Sequence, residues 1–422
     1  MKFQLLLLAF LSTALGTSAQ QFEKVDKSKY KDYSPTYAPD PSLMRNISGK
    51  AGKVGMRTRA TNTSLPAYVN NANAKWFPPI FGQTGGSCGA SSRIGYMMTY
   101  EWNAFRLSDA SKIEHRLPPH FEYPFSNNGL SKDHMAQYIG YPTGDVYGGW
   151  DISSIYGAYE ADSNDAGWMQ GYDSWHNAMF NRITGTANFP KGSNTPEGME
   201  AIKRWLFNHN GDPSWPTITD ENGTHIVGGI AGLGCGISGC VMQNVADVDA
   251  NRKAGIVGKH YIERWRFDTA DHAITLVGYD DRVVFDLDKN GVYGEEKNRL
   301  GQDERGAWIF ANSWGDWADK GLCYVPYPMA GGVTNSKTDK HILTNEDGSK
   351  VEVYTGGGWW PEVYYLRQNY VPQQTMKVTM QYSKRSEISV KVGVSQDPTA
   401  TKPQKESVFR YINYTGDGDK DP

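Results

Sequence analysis

Beyond Cys88 the chain reads ASSRIGYMMTYEWNAF, with apolar residues at 94, 97, 98 and 102. Steps of three and four are the helical period, so the pattern predicts a buried helix beginning at or near Cys88. A second helix is predicted over TPEGMEAIKRWLFN, where Thr195 and Glu197 suit a helix start. From about residue 224 the pattern changes, and HIVGGIAGL, AITLVGYDD, RVVFDL and AWIFANSW are apolar runs of strand length. Farther on, TMKVTMQYSKRSEISVKVGVSQ (375–396) alternates like two antiparallel strands. Helices in the first half and strands in the second predict the α+β class rather than a parallel α/β sheet.

The ends of the chain follow other rules. MKFQLLLLAFLSTALGTSAQQ puts one lysine before an apolar run that ends in small residues. This predicts a signal peptide over 1–19, cut after Ala19, and export to the periplasm, the cell surface or the medium. The run is too short to span a bilayer comfortably and no second one follows, so no membrane span is expected. Residues 20–64 are polar and aperiodic, as in a propeptide or flexible leader. The main domain is expected over 65–330, opening on the extended segment LPAYVNNANAKWFPPIFGQ. Residues 331–422 read as a linker and a β-rich, sandwich-like module, and the polar end GDGDKDP suggests that this module is incomplete or the chain a fragment.

Composition narrows the function classes. Hydrophobic residues are 39% of 422 and aromatic ones 13%, which suits a packed core. The net charge of −3 and the lack of a long Lys/Arg run provide no field for nucleic acid. Nothing in the sequence fixes an oligomeric state.

The chemistry centres on GSCGASS (86–92), where Cys88 stands between two glycines. Cysteine nucleophiles need a thiolate, a base to form it, a group to orient that base, and donors for an oxyanion. A helix N-terminus favours a thiolate, and Cys88 stands at one. Gln83, five residues upstream, can donate a side-chain amide to the oxyanion, with the Cys88 N–H as a second donor. Of nine histidines, His272, which opens the apolar run AITLVGY, is the candidate base. Asn312 ends another apolar strand, so the two side chains can face each other across an antiparallel pair, with Trp314 covering their hydrogen bond. An amide orients an imidazole without drawing its proton from a thiolate–imidazolium pair.

Two further features carry chemistry. The cysteines other than Cys88 are Cys235, Cys240 and Cys323, and the first two flank a short loop that a disulfide could close. DLDKNG (286–291) sets Asp286, Asp288 and Asn290 at alternate positions before a glycine, the opening of a calcium loop. Position twelve, where a bidentate Glu completes such a loop, holds Lys297. Two readings stand: a structural calcium site, or a polar hairpin tip between the His272 and Asn312 strands. No other cofactor is required.

GSCGASS, DHAITLVGY and ANSWGDWADKGLCYV resemble, in order, the Cys, His and Asn blocks of the papain-like (C1) cysteine peptidases. GDVYGGWDISSIYGAY resembles the family's Gly-Gly segment, which implies that Gly148 and Gly149 pair with an extended peptide substrate, alongside Trp314. The resemblance covers about 65–328. It implies a two-lobed fold, one lobe helical and one an antiparallel, β-barrel-like sheet, and a secreted, bacterial-type endopeptidase acting on polypeptides through a thioester. The departures are specific. The cysteine that usually precedes the nucleophile is absent, Gly89 replaces the usual tryptophan, and the Gln83–Cys88 spacing is one residue short. His272 lies 184 residues after Cys88 and Asn312 lies 224 after it, against roughly 130–150 in animal and plant members; insertions such as 160–200 account for the difference. A shifted register would put Ser91 at the nucleophile position, but Ala90 and Ser92 match the family better with Cys88 there. Two alternatives stand beside hydrolysis: a catalytically impaired binding or adhesion protein, which the departures motivate, and a transpeptidase that transfers the acyl group to an amine instead of water.

Overall fold

The computed structural model describes residues 53–56, 64–83, 87–119, 132–144, 176–370 and 390–409. The chain divides into two compact units. One comprises Lys53–Arg116 and Thr184–Leu366; the other takes Leu117–Ile183 and Arg367–Pro422 together with the N-terminal segment. The signal peptide, most of the 20–64 leader, Gly148 and Gly149 lie outside the described residues, as does all but the end of the alternating 375–396 stretch.

In chain order the elements are β1 (Tyr68–Asn70), then helix α1 in three continuous stretches (Cys88–Ala90, Ser91–Met98, Thr99–Arg106), then α2 (Lys132–Tyr138), β2 (Ile183–Asn188) and α3 (Pro196–Asn208). β3 (Thr217–Asp220), β4 (Gly223–Ile226), β5 (Ala231–Cys235), β6 (Val241–Asn244), α4 (Asp249–Ala254) and β7 (His260–Arg264) follow. The remaining strands are β8 (His272–Val284), β9 (Arg305–Ala311), β10 (Leu322–Pro326), β11 (Lys340–Thr344), β12 (Lys350–Tyr354), β13 (Glu362–Leu366), β14 (Val390–Val394) and β15 (Lys405–Phe409). The result is a mixed α/β fold with one large sheet and few helices.

The large sheet runs β2-β13-β5-β8-β9-β10-β7-β6, with β1 paired to β8. It is mixed: β5–β8, β8–β9 and β9–β10 are antiparallel, while β7 and β10 run parallel. Helix α3 falls between β2 and β3 in the chain, so helices and strands interleave more than the segregated pattern predicts. The sheet also continues past residue 330, where the sequence suggests a separate module. β13 is one of its strands and pairs with β5 at Glu362↔Gly232. Its short apolar run is hidden in the sequence behind a Gly- and Asn-rich stretch.

Local rules account for the elements around the site. Thr195 caps α3 by accepting the Gly198 N–H at 3.1 Å, with Pro196 in the first turn, and the helix ends at His209 in the left-handed region. Its apolar stripe buries Ile202, Trp205 and Leu206 in the core with Tyr279, Trp308 and Phe310 of the sheet. From His272 to Asp280, β8 is buried at every residue but Ala273, so both faces are covered. In the other unit, Asn181 Nδ2 donates to Tyr141 O at 2.7 Å and Arg182 Nε to Ile139 O at 3.1 Å, and β14 and β15 form a separate antiparallel pair.

Candidate active site

Helix α1 starts at Cys88, as its periodicity predicts, and Ser91 N–H donates to Ser87 O at 2.8 Å to close the first turn. The N–H groups of that first turn have no acceptor within the helix, so they face whatever lies before the Cys88 side chain. Across Ser91–Met98 the helix widens to five-residue turns; the Thr99 N–H donates to Ile94 O. Such widened turns recur at functional sites. The helix is pinned to β8 one turn after Cys88, where Ser92 Oγ donates to Ile274 O at 2.9 Å. The Thr275 hydroxyl returns the contact to Ser92 O at 3.1 Å. This holds the Cys88 end of α1 against the His272 end of β8, and Cys88–Ala90 packs on that strand. Cys235 pairs with His272 across the β5–β8 ladder.

Exposure separates the two candidate registers. Cys88 is half-buried, whereas Ser91 is 0% exposed and its Oγ has no hydrogen-bond partner. Ser91 is fully buried, and of the two only Cys88 is partly exposed.

His272 and Asn312 meet across the antiparallel β8–β9 pair. Nε2 of His272 lies 2.7 Å from Oδ1 of Asn312 and donates to it, which leaves Nδ1 on the far side of the ring. Asn312 Oδ1 also accepts the Ser313 N–H at 2.8 Å, which fixes the amide. Trp314 lies with its ring centroid 4.6 Å from that of His272 and is itself 38% exposed, so it borders the imidazole on the solvent side. Burial depresses the His272 pKa, with the Asn312 bond and the Asp271 charge acting against it.

The oxyanion candidate is held to the same strand end. Gln83 N–H donates to Ser313 O at 2.7 Å, and Ser313 Oγ donates to Gln83 Oε1 at 2.7 Å. With Oε1 engaged, the Nε2 end of the amide is the end it can offer as a donor. The Tyr96 hydroxyl accepts from Phe81 N–H at 3.2 Å and donates to Asn312 O at 3.2 Å, bracing both segments. The bracing roles of Ser92, Tyr96 and Ser313 are not marked by their residue types, although Cys88, Ser92 and Tyr96 recur at intervals of four, along one face of the helix.

All four cysteines are unpaired, so no disulfide closes the Cys235–Cys240 loop. Burial pushes the Cys235 and Cys323 thiols well up and the Cys240 thiol up, which makes them poor nucleophiles. In the 286–291 loop, Asp286 and Asp288 cluster with Glu304, a residue the sequence pattern did not single out. Asn290 lies beside them: its N–H donates to Asp286 Oδ1 at 3.0 Å, its Nδ2 donates to Glu295 Oε2 at 2.7 Å, and its Oδ1 accepts Val292 N–H at 2.7 Å. Among the described residues no helix is long and apolar enough to cross a membrane.

No family model and no curated protein matches the chain. Solved structures do. The chain is similar to digestive procathepsin L 3 of the Tenebrio molitor larval midgut, at 14% identity, 82% of this chain, 83% of that one and a TM-score of 0.35. It is also similar to the proform of the ragweed pollen cysteine protease Amb a 11, at 14% identity, 73% and 67% coverage and a TM-score of 0.36. A third is the cysteine protease and lectin-like domains of Cwp84 from Clostridium difficile, at 11% identity, 84% and 83% coverage and a TM-score of 0.35. Likeness at this level carries no weight for the chemistry.

Proposed function

We propose that the protein is an exported cysteine endopeptidase. The observation that carries this reading is the buried His272–Asn312 pair, set beside a half-exposed cysteine at a helix start. With Nε2 committed to Asn312, Nδ1 is the basic position left to face the thiol. Cys88 gives its proton to His272, and Sγ attacks the carbonyl carbon of the scissile peptide. The tetrahedral oxyanion takes hydrogen bonds from the Cys88 N–H and the Gln83 side-chain amide. Collapse of the intermediate breaks the C–N bond, and the imidazolium proton goes to the leaving amine. His272 then takes a proton from water, which attacks the thioester and frees the acid and the thiol. Asn312 keeps the ring turned and Trp314 shields the His272–Asn312 bond, while Gly148 and Gly149 supply backbone pairing to the substrate. The fold form this implies is the two-lobed papain-like one.

The test is turnover of a peptide library, together with labelling by a thiol-alkylating peptidyl probe, in wild type and in Cys88→Ala. Wild type cleaves and is labelled, and the variant does neither. Equal cleavage by the two proteins would falsify the assignment. Export is tested by the N-terminus of the mature protein, expected just after Ala19.

A further inference from the structure

The connection between β8 and β9 is built around carboxylates. Asp286 and Asp288 follow β8, and Glu304 stands immediately before β9. One oxygen from each lies within 4.8 Å of the others. Glu304 is 0% exposed. Its Oε1 accepts the Leu287 N–H at 2.8 Å, the Asp288 N–H at 3.3 Å and the Asn298 amide at 3.0 Å. Its Oε2 is equally buried and has no hydrogen-bond partner. A buried carboxylate oxygen left unbonded is costly and calls for a compensating cation.

Little of that compensation comes from the protein. Arg299 Nε donates to Asp288 Oδ2 at 2.9 Å and neutralises one of the three charges. The neighbouring cations are engaged elsewhere: Lys289 with Glu263, and Arg305 with Asp303 and Glu296. Among the described residues no ion pair reaches Asp286 or Glu304. Asp286 is held by backbone N–H groups alone, from Asn290 at 3.0 Å and Gly291 at 2.9 Å, and is only partly buried.

We propose that Asp286, Asp288 and Glu304 bind one Ca²⁺ ion, with Glu304 supplying the carboxylate that position twelve of the loop, Lys297, lacks. The donors are all oxygens, which suits a hard cation. Oxygens 2.3–2.6 Å from one Ca²⁺ lie at most about 5 Å apart, and this cluster meets that limit. Partly exposed Asp286 leaves an open side for water ligands. A bound ion ties the end of β8 to the start of β9, the two strands whose opposite ends carry His272 and Asn312. The site is independent of the peptidase reading.

The experiment uses the purified chain, stripped with EDTA, then titrated with CaCl2 by calorimetry and melted with and without the ion. Wild type shows one saturable site and a Tm rise on the order of 5 °C at a hundredfold excess over Kd. Glu304→Gln lowers affinity at least tenfold and removes most of the rise. Asp286→Asn, at a partly exposed position, does the same and decides the matter if the Glu304 variant does not fold. Absence of binding by wild type, or wild-type affinity in either folded variant, overturns the proposal. Equal affinity for MgCl2 overturns the calcium assignment, because Mg²⁺ requires a shorter, stricter octahedral shell.

Discussion

His272 Nε2 lies 2.7 Å from Asn312 Oδ1, and this one contact decides which face of the imidazole is left for a thiol. The bond spans an antiparallel strand pair, so the ladder between β8 and β9 sets the geometry of the base.

Asn312→Ala therefore costs activity as well as stability. The imidazole loses its orienting acceptor, and misorientation of a base by about 1 Å costs on the order of 100-fold in rate. The Asn312 Nδ2 is already without a partner, but Oδ1 also accepts the buried Ser313 N–H, so some stability is lost with the side chain. We expect kcat/KM to fall about 100-fold, with a loss of stability of about 1–3 kcal/mol from the stranded Ser313 N–H. A variant that unfolds instead of slowing down would contradict the assigned role.

Ser91→Ala is expected to be silent in catalysis. The hydroxyl is buried and unbonded, and removing such a group is neutral or stabilising by about 1 kcal/mol. Kinetics and urea denaturation side by side check this. A large loss of kcat in Ser91→Ala, with activity kept in Cys88→Ala, reverses the register.

The His272 imidazole should titrate below its ordinary value, and lower still in Asp271→Asn, where a charge that favours the imidazolium is gone. NMR titration of the ring in a Cys88→Ala background reads this without interference from the thiol; an upward shift in the Asp271 variant contradicts it. The sign for stability follows. The folded pKa lies below the unfolded one, near 6.5, so the unfolded chain takes up the proton first as the pH falls. The contribution of His272 is full above that value and is lost as the pH drops through the folded pKa. The stability difference between wild type and His272→Gln should accordingly move against wild type between pH 7 and pH 5.

Glu101 and His209 form a pair in which both side chains are 0% exposed, Oε2 to Nε2 at 2.7 Å. Glu101 Oε1 accepts the Ile230 N–H at 2.9 Å, His209 Nδ1 contacts Val227 O at 2.6 Å, and Trp215 stacks on the ring. Glu101→Ala strands both partners, and breaking a buried pair in this way costs about 3–5 kcal/mol. Urea denaturation should show the midpoint falling accordingly; a loss below about 1 kcal/mol would mean that water replaces the carboxylate.

Much of the candidate site is legible in the sequence because it sits at element ends. Cys88 opens a helix whose period is visible, and His272 opens, and Asn312 follows, apolar runs of strand length. The Glu101–His209 pair is not legible, since its partners lie 108 residues apart and neither breaks its local pattern. The sheet's reach to β13 is hidden for a related reason: five residues of strand after a glycine-rich stretch show no period of their own.

The sequence by itself determined the nucleophile, base and orienting candidates, the helix that presents Cys88, and two of the three clustered carboxylates, Asp286 and Asp288. Those properties depend on residue type and on neighbours along the chain, where periodicity and capping operate. Only the tertiary structure decided that Ser91 is fully buried while Cys88 is partly exposed, and that Ser313, 230 residues away, holds the Gln83 amide. Only the tertiary structure brought Glu304 to Asp286 and Asp288. Burial and hydrogen bonding of a side chain are set by what packs against it, and at these positions the packing partner comes from another segment or another turn of the backbone.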